Sequence, residues 1–146
     1  MTTSPKRLIY ARAGELDRWH CRALENIPIV DLHDRQVGRL DGILVDAHDK
    51  RALYIGVARK HRFLVPVGDG WFDETARVIR IDAVAREGIP FDPDEFDRMT
   101  PEQADAYERR LLAECCPEIG FHRDGRPDYG RLSQFTCRGW SVEPAR

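Results

Sequence analysis

The 146-residue chain has no apolar run long enough to cross a bilayer. Its longest, residues 42–45 and 63–67, fall far short of the roughly 20 residues that a spanning helix needs. Residues 1–10 carry two cations, with no apolar stretch of signal-peptide length behind them. The expected location is therefore the cytoplasm, with contact to the inner membrane only through a partner. Cysteine is scarce. The four residues at 21, 115, 116 and 137 lack the regular framework of small secreted domains, and they read as thiols in a reducing compartment.

Catalytic signatures are also missing. There is no Gly-x-Ser-x-Gly elbow, and Ser4, Ser133 and Ser141 fall in the outer segments. Gly68-Asp69-Gly70 is not followed by a helical pattern, so it does not read as a phosphate cradle. Cys115, Cys116, His122 and Cys137 could supply soft metal ligands, but adjacent cysteines cannot form the Cys-x2–4-Cys knuckle of structural zinc. Packing is the simpler role for them, and His20-Cys21 is a weaker pair still. Asp31, Asp34, Asp41, Asp46 and Asp49 stand at turns and strand ends, where Asp caps backbone donors or faces water. No catalytic, cofactor or metal residue is assigned, and the expectation is a protein that is not an enzyme.

What is present is charge and alternation. Charged residues make up 33% of the chain, and a mean hydropathy of -0.53 implies a well-solvated exterior. The net charge of -2 conceals an asymmetry. Lys6, Arg7, Arg12, Arg18 and Arg22 dominate the start. Glu87, Asp92, Asp94, Glu95, Asp97, Glu102, Asp105 and Glu108 form an acidic block that repels polyanions.

Residues 1–23 read as an N-terminal extension. Helical spacing of Leu16, Trp19, Ala23 and Leu24 suggests a short helix over 15–24. From Ile27 the period becomes two. Residues 27–30 suggest a strand, demoted toward an edge by Pro28. Residues 37–47 suggest a long strand, bulged near Gly38 and Gly42. Strands follow over 53–57 and 63–67, where apolar residues alternate, and over 77–81. Five short strands separated by frequent turns predict a small antiparallel β-barrel over 24–86, because closure removes exposed edges. An acidic connector occupies 87–99. Thr100-Pro101-Glu102-Gln103 then announces a helix over 100–116, with Thr as N-cap, Pro at the first position and Gln103 completing a capping box. Ala104, Tyr107, Leu111 and Cys115 form its apolar stripe, most simply docked on its own barrel. Pro117 stops it, and residues 117–146 read as an extended tail whose aromatics pack on something.

The order of these pieces resembles the PRC-barrel family, which includes the cytoplasmic domain of the photosynthetic reaction-centre H subunit and the C-terminal domain of a ribosome-maturation factor. The matching residues are Ile27-Pro28-Ile29-Val30-Asp31, then Val37-Gly38-Arg39-Leu40-Asp41-Gly42-Ile43-Leu44-Val45-Asp46. Residues 52–57, Leu64-Val65-Pro66-Val67 and Arg77-Val78-Ile79-Arg80-Ile81-Asp82 follow. Gly88-Ile89-Pro90-Phe91 is similar to the H-subunit side of the family, although the membrane helix of that subunit has no counterpart here. The resemblance covers about 60 residues and implies binding and scaffolding within a larger complex, with no catalytic residues. A homo-oligomer is compatible with it.

Candidate partner-binding residues are the basic tip Arg59, Lys60, His61 and Arg62, together with Trp71, Phe72 and Trp140. The tip projects between two strands and suits an acidic protein face, lipid headgroups or RNA phosphates; a purely solvated hairpin end is the simpler alternative. Trp71-Phe72 either plugs the barrel or enters a partner. RNA or ribosome association is the second functional expectation, and a metal-dependent enzyme or sensor the third.

Overall fold

A computed structural model describes residues 6–12, 27–48, 51–73, 75–82 and 89–129 of the chain. The helix expected over 15–24, Trp140, Cys137, Asp49 and His20-Cys21 lie outside the described residues.

The fold is mainly β, with a short C-terminal helix. Eight strands run in chain order: β1 (Leu8–Arg12), β2 (Pro28–Val30), β3 (Gln36–Asp46), β4 (Arg51–Ala58), β5 (Arg62–Pro66), β6 (Gly70–Asp73), β7 (Val78–Ile81) and β8 (Ile89–Pro90). They pair in one sheet as β6-β7-β2-β3-β4-β5-β8, and β1 pairs with β3. Strand β3 is the axis. Its first half pairs with β2, its second half with β1, and its other edge with β4. The expected bulge is present, since the β3–β4 register shifts between Leu40 and Gly42.

Three expectations need correction. The sheet is not wholly antiparallel, because β2 and β7 run parallel, with Ile29 opposite Ile79. Alternation of side chains marks a strand but carries no information on direction. Strand β2 is not an edge either; it lies between β3 and β7 despite Pro28. Finally, the N-terminal extension contributes β1, which pairs along Gly42–Asp46 of β3.

Among the described residues the pairing path ends at β6 and β8, so the ladder does not close. The sheet nevertheless folds over on itself. Strands β6 and β4 are four places apart, which on a flat sheet is roughly 19 Å. Yet a Cβ on Gly70 of β6 would lie 3.0 Å from Cδ1 of Ile55 on β4.

Both faces of the central strands are covered. Ile43, Val45, Ile55, Val57, Val65, Ile79 and Ile81 point into the fold of the sheet. Leu44, Tyr54 and Leu64, the alternate residues, pack outward against a second layer, joined by Leu53 where the β3–β4 register shifts. Runs such as Ile43-Leu44-Val45 and Leu53-Tyr54-Ile55 are apolar throughout for this reason.

The second layer is built from the region after the sheet. The connector is not featureless. It holds β8 and α1 (Pro93–Asp97), whose N-cap Asp92 accepts from the backbone N–H groups of Asp94 and Glu95. Helix α2 (Pro101–Cys115) begins with the capping box that the sequence announces. Thr100 Oγ1 accepts from Gln103 N, and Gln103 Oε1 accepts from Thr100 N. Ala104, Leu111 and Leu112 bury against Phe91, Phe96 and the outer face of the sheet, so the helix docks on its own fold. Residues 117–129 are not extended. They turn back through a bridge between Phe121 and Pro127, placing Ile119 and Tyr129 in the second core.

Candidate partner-binding surface

The basic tip joins β4 to β5. Arg59, Lys60 and His61 are exposed, and the turn is closed by Arg59 N donating to the His61 carbonyl at 3.0 Å. Their side chains form no ion pair among the described residues. Arg62 differs. Its Nε donates to Asp41 Oδ1 at 3.2 Å, while Asp41 Oδ2 accepts from the Tyr10 hydroxyl at 2.6 Å. Asp41 is the residue at the β3 bulge, and bulges re-aim a side chain in this way. Burial raises the pKa of Tyr10, and the bond and charge of Asp41 add to that, so the phenol remains a donor. The carbonyl of Arg62 accepts from Phe91 N at 3.0 Å, which ties the base of the tip to β8. Two exposed cations, Arg59 and Lys60, and the exposed His61 thus stand on a fixed base.

The other expected contacts fare differently. Phe72 is partly buried and packs on the inner core, with the Arg77 guanidinium 5.9 Å from its ring centroid. Trp71 is half-buried opposite Arg80. The register carries Trp71 through Arg80 and Val30 to Gln36, at the end of β3 that adjoins the tip. Along the ladder, however, β6 is five places from β5, and the pairing does not bring these residues beside Arg59–Arg62.

The aspartates behave as turn and ion-pair residues. Asp31 Oδ1 accepts from the backbone of His33 and Arg35, at 2.8 and 3.0 Å. Asp46 Oδ1 accepts from His48 N at 2.9 Å. Asp34, at φ 63°, pairs with Arg80, which also reaches Asp73.

One cluster escaped the sequence reading. Arg7, just before β1, donates to Asp46 on β3 and to Glu108 on α2, and Tyr129 donates to the second oxygen of Glu108. Asp46 and Glu108 are each 2% exposed. Burial would lower the Arg7 pKa, but the bonds and charges of Glu108 and Asp46 outweigh it and raise it. Burial raises the pKa of Glu108, with Tyr129 and Arg7 opposing. The four residues span 122 positions and share no local pattern; the visible signal was a glutamate on the buried side of a helical stripe.

Cys115 and Cys116 end α2. Cys115 is half-buried, its Sγ 3.6 Å from the Tyr54 hydroxyl, and Cys116 is buried. His122 pairs instead with Asp128 at 3.7 Å. Among the described residues no three His, Cys, Asp or Glu side chains are grouped to hold a metal ion, and no helix is long and apolar enough to cross a membrane. No family model matches the chain, and the curated proteins contain no match to it.

Proposed function

We propose that this chain is a non-enzymatic adaptor of the PRC-barrel type that binds and stabilises a larger protein complex. The observation that carries the reading is the tip Arg59-Lys60-His61: two exposed cations and an exposed imidazole without ion-pair partners among the described residues, on a hairpin anchored by Arg62, Asp41 and Tyr10. Such a rigid basic projection suits an acidic protein surface. The strand order over 24–86 and the folding of the sheet over itself favour a PRC-type barrel as its architecture. Several strongly perturbed groups, Arg7, Glu108, Tyr10 and Tyr129, are engaged with one another or with Asp41, which favours a structural role over chemistry. The complex is cytoplasmic or peripheral to the inner membrane in this proposal, and its reaction-centre-like version predicts co-purification with photosynthetic membranes.

The test is affinity capture from native extract with the full chain and with an R59A/K60A/H61A variant. The expected result is a defined protein set on the wild type that the variant loses while keeping its thermal stability. A wild type that retains nothing would end the proposal. RNA association is the second reading, favoured by the same cations. It predicts nuclease-sensitive capture that falls steeply with salt, as phosphate contacts release counterions.

A further inference from the structure

Helix α2 ends on two adjacent thiols. Cys115 is its last residue and Cys116 its C-cap, at φ -149° and ψ 62°, outside the helical region. On a regular helix neighbouring side chains diverge by about 100°. At Cys116 the backbone has left the helix, and its thiol hydrogen-bonds the sulfur of Cys115. The Tyr54 hydroxyl stands 3.6 Å from the same sulfur. Cys115 is half-buried and within reach of a small molecule from solvent, whereas Cys116 is buried in the second core. The bonds from Cys116 and Tyr54 lower the Cys115 pKa, against burial and the charges of Asp69 and Glu118.

This arrangement supplies both parts of a redox pair: an accessible sulfur with thiolate character, and a second sulfur in contact with it. We propose that Cys115 and Cys116 are a reversible oxidation site, closing a disulfide between adjacent residues when a peroxide reaches them. The Cys115 sulfur attacks one peroxide oxygen, the O–O bond breaks, and the other oxygen takes up a proton and leaves as water. Cys115 is then a sulfenic acid. The Cys116 sulfur displaces its hydroxyl, the S–S bond forms, and the hydroxyl leaves as a second water with the Cys116 proton. In sum, two thiols lose two electrons and two protons, and hydrogen peroxide gains them.

Closure acts on a joint of the fold. Cys116 N donates to the Leu112 carbonyl at 2.7 Å, and Ile119 N donates to the Cys116 carbonyl at 3.1 Å. Adjacent Cα atoms stand about 3.8 Å apart, below the roughly 4.4–6.8 Å of ordinary disulfides, so the ring distorts this joint. Residues 117–129, which place Ile119 and Tyr129 in the second core, loosen in the oxidised form. The same strain makes the bond easy to reduce, and thiol exchange restores the pair. The site is separate from the basic tip and stands independently of the adaptor reading.

The test exposes the full chain to a slight excess of hydrogen peroxide, alkylates the remaining thiols with iodoacetamide and maps tryptic peptides by mass. Both sulfurs fall in one peptide, residues 111–123. The expected result is that peptide lighter by two hydrogens and unalkylated, becoming doubly alkylated once dithiothreitol is added. Amide exchange at Ile119 and Tyr129 should be about tenfold faster in the oxidised form and recover on reduction. In Cys116→Ser the reaction should stop at a sulfenic acid on Cys115, trapped by dimedone. A pair left reduced, sulfinic acid at Cys115 of the wild type, or a cross-link to Cys21 or Cys137 overturns the proposal. So does a disulfide that forms without faster exchange, since the joint would then be indifferent to it.

Discussion

The Tyr10 hydroxyl occupies the space that a side chain on Gly56 would need. Gly56 on β4 stands opposite Gly42 on β3, and the two leave a trough in which the Tyr10 ring lies, with Tyr10 Cζ 2.7 Å from where a Gly42 Cβ would sit. The trough lets the ring cross the sheet and deliver its hydroxyl to Asp41, beneath the basic tip. Gly56→Ala should therefore destabilise the fold by about 1–3 kcal/mol, the usual cost of overpacking. Tyr10→Phe should cost about 1 kcal/mol through the lost hydrogen bond. Urea unfolding of both, of Tyr10→Ala, and of Gly56→Ala combined with Tyr10→Ala checks the geometry, because the double variant should fall short of the sum of Gly56→Ala and Tyr10→Ala.

Arg7 is bonded to both buried carboxylates, Asp46 and Glu108. Arg7→Ala removes a guanidinium bonded to both carboxylates, which keep the His48 N–H and the Tyr129 hydroxyl as donors, so a loss of about 1–3 kcal/mol is expected in denaturant unfolding. Faster hydrogen exchange in β1 should accompany it, since Arg7 anchors the start of that strand to α2.

Glu108 sets a pH dependence of defined sign. Burial holds its folded pKa above the ordinary 4.5. The stability linked to it is complete below 4.5 and is lost as pH rises through the folded value, because the folded state binds the proton more tightly. Asp31, Asp73 and Asp124 have lowered pKa values and act below 3.8, outside this window. Urea midpoints measured upward from pH 4.5 should fall in the wild type and flatten in Glu108→Gln. Parallel curves for the two proteins would reject the assignment.

The thiols should differ in reactivity. The bond from Cys116 lowers the Cys115 pKa; burial opposes this and the Tyr54 contact assists it. Cys115 is also the more exposed of the pair. Iodoacetamide labelling of the native protein, mapped by peptide mass, should modify Cys115 before Cys116, at a pH below that of an ordinary thiol. Simultaneous labelling of both would count against this arrangement.

Much of the fold was legible in the chain. Thr100, Pro101 and Gln103 specify the start of α2 by satisfying backbone donors within four residues, and no distant group is needed. The alternation of Ile55 and Val57 with Tyr54 and Gly56 reads as a strand for the same local reason, whereas Leu53, which that alternation groups with Ile55, lies with Tyr54 in the second core because the β3–β4 register shifts beside it. A bulge near Gly38 and Gly42 was also visible, and the register shift falls at Asp41. Strand β1 was not: Leu8 and Tyr10 face the second core while Ile9 is exposed, too short an alternation among cations to announce itself.

The sequence alone determined where backbone geometry and local capping act: the strand segments, the capped helix, and a run of cations at a turn. Tertiary structure alone decided direction, order and pairing, including the parallel contact of β2 with β7 and the meeting of Arg7, Asp46, Glu108 and Tyr129. Local patterns operate over a few bonds, whereas a buried charge is tolerable only where the whole chain has delivered its counter-charge. That delivery is a property of the packed molecule.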